Sequence, residues 1–244
     1  MDLKEQIIRR RSIRKYDMTP LSDEVLRTVS EFAGTCERPF SGNIGSKIVT
    51  REEFFAMTGG VFRINGPHYL VFFGDKDDDN VLKNIGYVGE LTVLRMTEMG
   101  LGTCWLGGAV GKKTPEGAEY VISICFGTPA EKFCDNENEA KRRDLRSIAS
   151  NFSPEQEDVL RYVRLAPSAR NGQPWHFECA DGVIHVFRTS SLMSGLAVIK
   201  MLQKIDIGIA VSHFRVCSFS IDKRPQIAKG MTYECTIVPD TAAR

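Results

Sequence analysis

The N-terminal stretch RRRSIRKYD, residues 9–17, contains residue types that bind phosphate groups. Arginine guanidinium groups are fork-shaped donors and Ser12 adds a hydroxyl, so the stretch suits a dianionic phosphate. On spacing alone, a solvated basic face of a helix is the favoured alternative. A second basic cluster, Lys141, Arg142 and Arg143, would matter for binding only if it lay close to the first.

The stretch PSARNGQPWHF, residues 167–177, combines side chains that can bond the polar edge of a ligand with Trp175 as an anchor. The polar side chains are those of Ser168, Asn171 and Gln173. The alternative is a rigid loop after a helix, in which Asn171 and Gly172 supply the turn. The density of unusual residues favours ligand binding.

The stretch GLGTCWLGG, residues 100–108, has glycine at four of nine positions. Glycine lets backbone approach a flat ring and leaves N–H groups free to bond it. A helix C-cap followed by a tight turn explains the glycines equally well. Cys104 is expected to be a packing residue, because no histidine lies nearby in sequence to activate its thiol.

The composition limits the possible classes of protein. The chain has 244 residues, 42% of them apolar, and a formal net charge of +1, which gives no general attraction to nucleic acid or membranes. No apolar run approaches eighteen residues, and the N-terminus is charged, so we expect a soluble, cytoplasmic protein. The seven cysteines and four histidines show no metal-binding spacing, which predicts reduced thiols and no metal.

The apolar periodicity predicts helices alternating with strands. Helices are expected over residues 3–14 and 81–99, after Ser22, after Ser153, and over residues 201–216. Strands are expected at SKIVT, HYLVFFG, YVISICFGTP, GVIHVFR and YECTIVP. Together these elements predict an α+β fold.

The second part of the chain repeats the pattern of the first. Val25-Leu26-Arg27 recurs as Val159-Leu160-Arg161, and helix, strand, helix and strand follow in the same order. In the long helices, Ile85 and Arg95 align with Ile205 and Arg215. We therefore predict two diverged copies of one unit, residues 1–148 and 149–244.

The motifs RRSIRKYD, GLGTCWLGG, FGTP followed by a basic pair, and PSARNGQPW resemble the FMN-dependent nitroreductase family. The resemblance implies a central, mostly antiparallel sheet flanked by helices. Members of that family are usually homodimers that hold FMN between the subunits. Here the two half-repeats would form an intrachain pseudo-dimer, and the chain would be either a monomer of such halves or a homodimer.

The order of the motifs departs from that of the family. Family members carry the arginine motif and the PSxxNxQPW loop in one N-terminal region, whereas here the loop occurs only in the second copy. The glycine-rich stretch occurs only in the first. Each copy has thus kept what the other has lost, which predicts one complete FMN site per chain.

The resemblance also implies roles for individual residues, with the redox chemistry assigned to the flavin and no catalytic side chain. Phosphate and ribityl contacts would come from Arg10, Arg11, Ser12, Arg14 and Arg142. The loop contributed by the other half would be Pro167, Ser168, Ala169, Asn171 and Gln173. The reactive edge of the flavin would face Leu106, Gly107 and Gly108, and its pyrimidine side would face Arg63.

The same resemblance implies NAD(P)H as electron donor and a small nitro compound, quinone or activated alkene as acceptor, in ping-pong chemistry. Two alternatives from other classes stay open. The chain could bind flavin without turnover, as a store or sensor, or it could be a scaffold that has lost the cofactor.

Overall fold

The computed structural model of the chain describes residues 3–59, 64–111, 119–189, 196–222 and 232–240. Its α-helices are α1 Lys4–Arg9, α2 Asp23–Thr35, α3 Arg51–Met57, α4 Asp79–Glu98, α5 Leu145–Ile148, α6 Pro154–Val163 and α7 Ala197–Val216. Its strands are β1 Gly45–Thr50, β2 Thr58–Gly59, β3 His68–Phe73, β4 Gly102–Leu106, β5 Val110–Gly111, β6 Tyr120–Gly127, β7 Ala149–Ser150, β8 Trp175–Ala180, β9 Val183–Arg188, β10 Phe219–Ile221 and β11 Thr232–Pro239.

The helices α2 and α6 begin at residues whose side chains satisfy free backbone donors. Ser22 accepts a hydrogen bond from the Val25 N–H at the start of α2. Ser153 and Gln156 form a reciprocal capping box at the start of α6, and Pro154 occupies its first turn. Such caps are worth about 1 kcal/mol each, so the sequence fixes both helix starts locally.

The N-terminal helix is shorter than the sequence predicts, because α1 ends at Arg9. Beyond it the chain is extended: the Ile13 N–H donates to the Thr103 carbonyl at 2.9 Å, and Ser12 forms a parallel bridge with Thr103. The prediction of a helix through Arg14 was therefore wrong. Pairing with β4 replaces the helical hydrogen bonds that this segment would otherwise make.

The strands form two larger sheets with the same connectivity. The first has the order β1-β3-β6-β4, and the second has the order β8-β9-β11-β10. All these neighbours are antiparallel, while β7 adds a parallel strand beside β8. The first sheet uses residues before 149 and the second uses residues from 149 onward. The α+β class is confirmed, with a sheet in each part of the chain.

The two long helices, α4 and α7, pack on each other at reciprocal glycines. A Cβ on Gly86 would lie 2.0 Å from the Ile205 carbonyl oxygen, and a Cβ on Gly208 would lie 2.0 Å from that of Lys83. On α4, Gly86 lies three positions after Lys83, and on α7, Gly208 lies three positions after Ile205. Reciprocal contact of this kind is what a two-fold axis produces. The contact places Gly86 opposite Gly208. This pairing is shifted by two residues from the sequence alignment of Ile85 with Ile205.

One continuous core joins the two sheets through this helix pair. It includes Phe72 and Ile124 from the first sheet and Phe177 and Val186 from the second, all fully buried. Within the described ranges, none of the helices combines the length and apolarity needed to cross a membrane. The same residues contain no cluster of three or more His, Cys, Asp or Glu side chains suited to a metal ion.

Candidate functional site

A cavity of about 840 Å³ opens where four separate segments of the chain meet one face of α7. The segments are residues 10–14, the turn after β4, residues 139–142 and the loop of residues 167–171. This volume lies within the range of roughly 300–1,000 Å³ typical of small-molecule and cofactor sites. The two basic clusters and the two ligand-binding motifs of the sequence therefore come together at one place.

Residues 10–14 reach the cavity as an extended segment that is fixed on both sides. Glu131 Oε2 accepts from the Arg14 N–H at 2.7 Å and from the Lys15 N–H at 3.3 Å. These bonds hold the pKa of Glu131 below its ordinary value, the Arg14 N–H contributing most. Because side chains alternate along extended backbone, Ile13 is buried in the core while Arg14 stays exposed.

Arg10 is the most buried cation of the site, with 5% of its surface exposed. Its Nε lies 3.7 Å from Glu90 Oε1, and this nitrogen makes no hydrogen bond to any described residue. Glu90 is fully buried and also accepts from Trp105 Nε1 at 2.9 Å. A buried guanidinium that lacks full hydrogen bonding is unusual, and an anion in the cavity would improve its electrostatic environment.

Arg142 links the second basic cluster to the loop. Its Nη1 donates to Asn171 Oδ1 at 2.8 Å, and its Nε and Nη2 donate to the Leu165 carbonyl at 3.3 and 3.2 Å. Burial and, to a smaller extent, the positive charge of Arg10 together lower the pKa of Arg142 to about 10. Two guanidinium groups that repel each other at one cavity favour a ligand with at least one negative charge.

The loop of residues 167–173 holds its backbone in a conformation that non-glycine residues seldom adopt. Arg170, Asn171 and Gln173 have φ angles of 54°, 56° and 48°, whereas Gly172 has a φ of −68°. Such conformations cost on the order of 1–3 kcal/mol each and cluster at ligand sites. The expectation that Asn171 and Gly172 together supply the turn holds for Asn171 only.

Hydrogen bonds from neighbouring groups maintain this strained loop. Ser168 Oγ accepts from the Gln173 N–H at 2.9 Å, and Gln173 Oε1 accepts from the Arg143 N–H at 2.9 Å. Asn171 Nδ2 donates to the Lys141 carbonyl at 2.8 Å. The loop and the basic segment thus form one unit, although about 30 residues separate them in sequence.

One face of α7 forms an apolar wall that contains a single acid. Asp206 is 4% exposed, and its Oδ1 accepts from the Ala169 N–H at 2.9 Å. Burial raises the pKa of Asp206 to about 8, against a smaller lowering by the Ala169 N–H. The other α7 residues on the cavity are Val198, Ile199, Leu202, Ile205 and Ile209.

The glycines after β4 bring backbone close to this wall. A Cβ on Gly107 would lie 3.0 Å from Leu202 Cδ2, so a larger residue would push the turn away from α7. Cys104 also lines the cavity, and burial raises the pKa of its thiol, which agrees with the expectation that it is no nucleophile.

Most of the site residues expected from the sequence line the cavity. They are Arg10, Arg11, Ser12, Arg14, Gly107, Gly108, Arg142, Pro167, Ser168, Ala169 and Asn171. Leu106 is buried at the end of β4 and Gln173 braces the loop from the protein side, so neither lines the cavity. Arg63 lies outside the described residues.

Other lining residues were not expected. They are Trp105, Ile122, Cys134, Glu139, Ala140, Arg170 and the α7 residues, including Asp206. Lys141 also lines the cavity, which meets the condition of proximity set for the second basic cluster. One signal was available for Asp206, since it stands alone as an acid before the apolar run IGIAV. Nothing local in the sequence shows that α7 faces the cavity.

The chain matches a family model described as "Putative TM nitroreductase" over residues 2–218. A putative nitroreductase from Thermotoga maritima is similar in structure, with 23% identity and a TM-score of 0.67, and the match covers 97% of this chain and 92% of that one. A putative nitroreductase from Desulfovibrio desulfuricans, solved in complex with FMN, is 16% identical with a TM-score of 0.45 and covers 63% of this chain and 98% of that one. No curated protein matches the chain.

Proposed function

The chain belongs to the family described as "Putative TM nitroreductase", and on this basis we propose that it is an FMN-dependent oxidoreductase. NAD(P)H would reduce the cofactor, and a small nitro compound, quinone or related acceptor would reoxidise it in a second half-reaction. The observation that carries the proposal is the cavity itself. It joins an open cluster of arginines, a glycine turn and a strained loop.

The residues present fit the phosphate of FMN. The Arg10 and Arg142 side chains face one cavity, and no carboxylate of the described residues lies within hydrogen-bonding distance of them. Arg11 and Arg14 line the same cavity. A phosphate dianion would take bidentate bonds from such groups and relieve their mutual repulsion. The Ser12 hydroxyl would add a neutral donor.

Other residues of the cavity lining fit a flat ring. Gly107 and Gly108 leave backbone accessible, and the apolar face of α7 supplies a wall against which an aromatic system can pack. When bound, FMN would supply the hydride and electron transfer, which no side chain of the chain can perform. The protein would bind the cofactor, orient it and exclude water from it.

We also propose that residues 1–148 and 149–244 are diverged copies that pack as an intrachain pseudo-dimer. The identical strand order of the two sheets and the reciprocal contacts of Gly86 and Gly208 support this. Because the arginine segment and glycine turn come from the first half and the loop from the second, one FMN per chain is expected. A further pairing of chains is compatible with the proposal.

The proposal is tested by titrating the purified protein with FMN and following the absorbance and fluorescence of the flavin. A ratio of one flavin per chain, followed by NAD(P)H oxidation with a quinone or nitroaromatic acceptor, is the expected result. A ratio near two would contradict the single site. Binding without NADH or NADPH oxidation would instead indicate a flavin store or sensor.

A further inference from the structure

We propose that Asp206 is a catalytic acid, which delivers the proton that accompanies hydride transfer to the acceptor. The proposal deepens the function proposed above and rests on it. It assigns a proton donor to a site whose other chemistry belongs to the cofactor.

The placement of Asp206 on α7 is the first support for this role. The carboxyl group lies on the cavity face of the helix, in a row of otherwise apolar side chains that includes Leu202 and Ile209. Oδ1 is held by the Ala169 N–H at 2.9 Å, while Oδ2 makes no hydrogen bond to any described residue. One oxygen is therefore fixed by the loop, and the other is available to a molecule in the cavity.

The plain alternative is that Asp206 only fastens the loop to α7. The other half of the chain shows what such a fastening requires. Asn84 lies two residues before Gly86, as Asp206 lies two residues before Gly208, and it binds the corresponding loop. Its Oδ1 accepts from the Phe40 N–H at 3.1 Å, and its Nδ2 donates to the Phe40 carbonyl at 2.9 Å.

A neutral amide thus fastens a loop at this position without any ionisable group. Burying a carboxyl group instead of an amide costs free energy through the shift of its pKa, and groups with such shifts cluster at functional sites. Asp206 lines the candidate site, whereas Asn84 does not. The acid therefore stands at the position that faces the site, and the amide stands at the position that does not. The acid does what an amide cannot do, which is to release and recover a proton.

The protonation state at neutral pH agrees with this role. Because burial raises the pKa of Asp206 to about 8, the carboxyl is mostly neutral at pH 7 and can donate. The ionisable groups on the same cavity are Arg10, Arg11, Arg14, Cys104, Cys134, Glu139, Lys141, Arg142 and Arg170. On the other side of α7, Lys204 is bound to Glu234 at 2.8 Å.

The step balances for a quinone acceptor. With the proposed cofactor bound and reduced, the quinone would gain one hydride, which carries two electrons and one proton. Asp206 Oδ2 would donate the second proton that completes the hydroquinone. The Asp206 carboxylate then recovers a proton from water at the open side of the cavity.

The test compares the wild type with Asp206→Asn, which keeps an oxygen for the Ala169 N–H and reproduces the residue type of Asn84. Anaerobic stopped-flow measurement follows each half-reaction separately. We expect reoxidation by a quinone to slow by about 10²-fold, the lower end of acid catalysis. Reoxidation by ferricyanide, which takes electrons without a proton, and the Kd for FMN should change by less than about twofold.

A second readout needs no cofactor. Carboxyl ¹³C NMR of the flavin-free protein should show one aspartate titrating near pH 8, and this signal should be missing in Asp206→Asn. In Asp206→Glu, which restores an acid, part of the quinone rate should return.

Three results would overturn the proposal. They are an unchanged quinone rate in Asp206→Asn, an equal loss with quinone and ferricyanide, and an aspartate that titrates near pH 4. An equal loss with both acceptors would show that Asp206 only positions the loop. A wild type that binds no flavin would refute the proposed function itself, which separates the two failures.

Discussion

Two clusters of cations stand out among the described residues, one closed by an internal carboxylate and the other open to the cavity. In the closed cluster, Glu234 lies 2.8 Å from Lys204 Nζ, 3.0 Å from Arg188 Nε and 3.5 Å from Lys83 Nζ. In the open cluster, made of Arg10, Arg11, Arg14 and Arg142, the closest approach of a guanidinium group to a carboxylate of the described residues is the 3.7 Å between Arg10 Nε and Glu90 Oε1. Both clusters contain buried positive charge.

The difference shows that the number of basic residues does not identify an anion site. An internal carboxylate satisfies the closed cluster, so that cluster holds the two halves together and has little to offer a ligand. The open cluster has its charge directed at a cavity, and Arg10 Nε makes no hydrogen bond to a described residue. Charge that faces a cavity and lacks full hydrogen bonding, rather than charge alone, marks the place where a ligand phosphate would bind.

The largest effect is expected from opening the closed cluster. Glu234→Gln removes the carboxylate that Lys83, Arg188 and Lys204 share, while Lys204 keeps that of Asp79. The change should lower the free energy of unfolding by about 3–5 kcal/mol. Asp79→Asn is the matched control, because Asp79 binds the same Lys204 at 2.6 Å but is 60% exposed. It should cost less than about 1 kcal/mol. Urea unfolding measures both, and equal costs would contradict the distinction.

The second effect concerns pH and the acid beside the open cluster. The Asp206 pKa is about 8 in the folded chain and about 3.9 in an unfolded one, so the folded state binds more protons between these values. Stability should fall as pH rises from about 4 to about 8 and then level off.

Asp206→Asn removes this dependence. Its stability relative to the wild type should therefore increase by on the order of 4 kcal/mol between pH 5 and pH 9. Thermal unfolding at both values checks this, with about 2–4 °C expected per kcal/mol. A constant difference in Tm would show that Asp206 is ionised throughout.

The third prediction concerns the reverse substitution, amide to acid, at Asn84 on α4. Asn84 Nδ2 donates to the carbonyls of Phe40 and Ser41 at 2.9 and 3.2 Å. Asn84→Asp would place a carboxylate oxygen against these acceptors and should cost about 2 kcal/mol at pH 7. Chemical denaturation at pH 7 measures the loss, and an unaffected variant would mean that the two helix positions are not comparable.

The smallest effect is on ligand affinity alone. Arg14→Ala removes one exposed arginine from the open cluster and should weaken FMN binding by about 1.5 kcal/mol, roughly tenfold in Kd. Lys15→Ala is the control, because the neighbouring Lys15 does not line the cavity. Fluorescence titration compares the two variants, and equal affinities would count against the cluster as the phosphate site.

The sequence predicts the open cluster better than the closed one for a physical reason. Arg10, Arg14 and Arg142 lie in short motifs whose residue types carry the signal by themselves. Lys83 and Glu234 are 151 positions apart in the chain, and their pairing depends on how α4 and β11 pack. Pairing of this kind leaves no local pattern.

The same reason explains the two main differences between the expected site and the site in the structure. The segment of residues 10–14 was expected to be helical because Leu3, Ile7 and Ile8 have helical spacing, but its pairing with Thr103 depends on a distant strand. Asp206 was passed over because the packing of α7 decides which of its faces meets the cavity. The positions of the motifs follow from local residue types. The pairing of an extended segment and the face that a helix turns to a cavity follow from tertiary contacts.

The cavity draws its walls from both parts of one covalent chain. When a site is formed between two separate chains, dilution dissociates the chains and the site is lost. Here the linkage fixes the effective concentration of one half around the other at a level set by the connecting segment. The completeness of the cavity therefore does not depend on how many copies of the protein a cell contains.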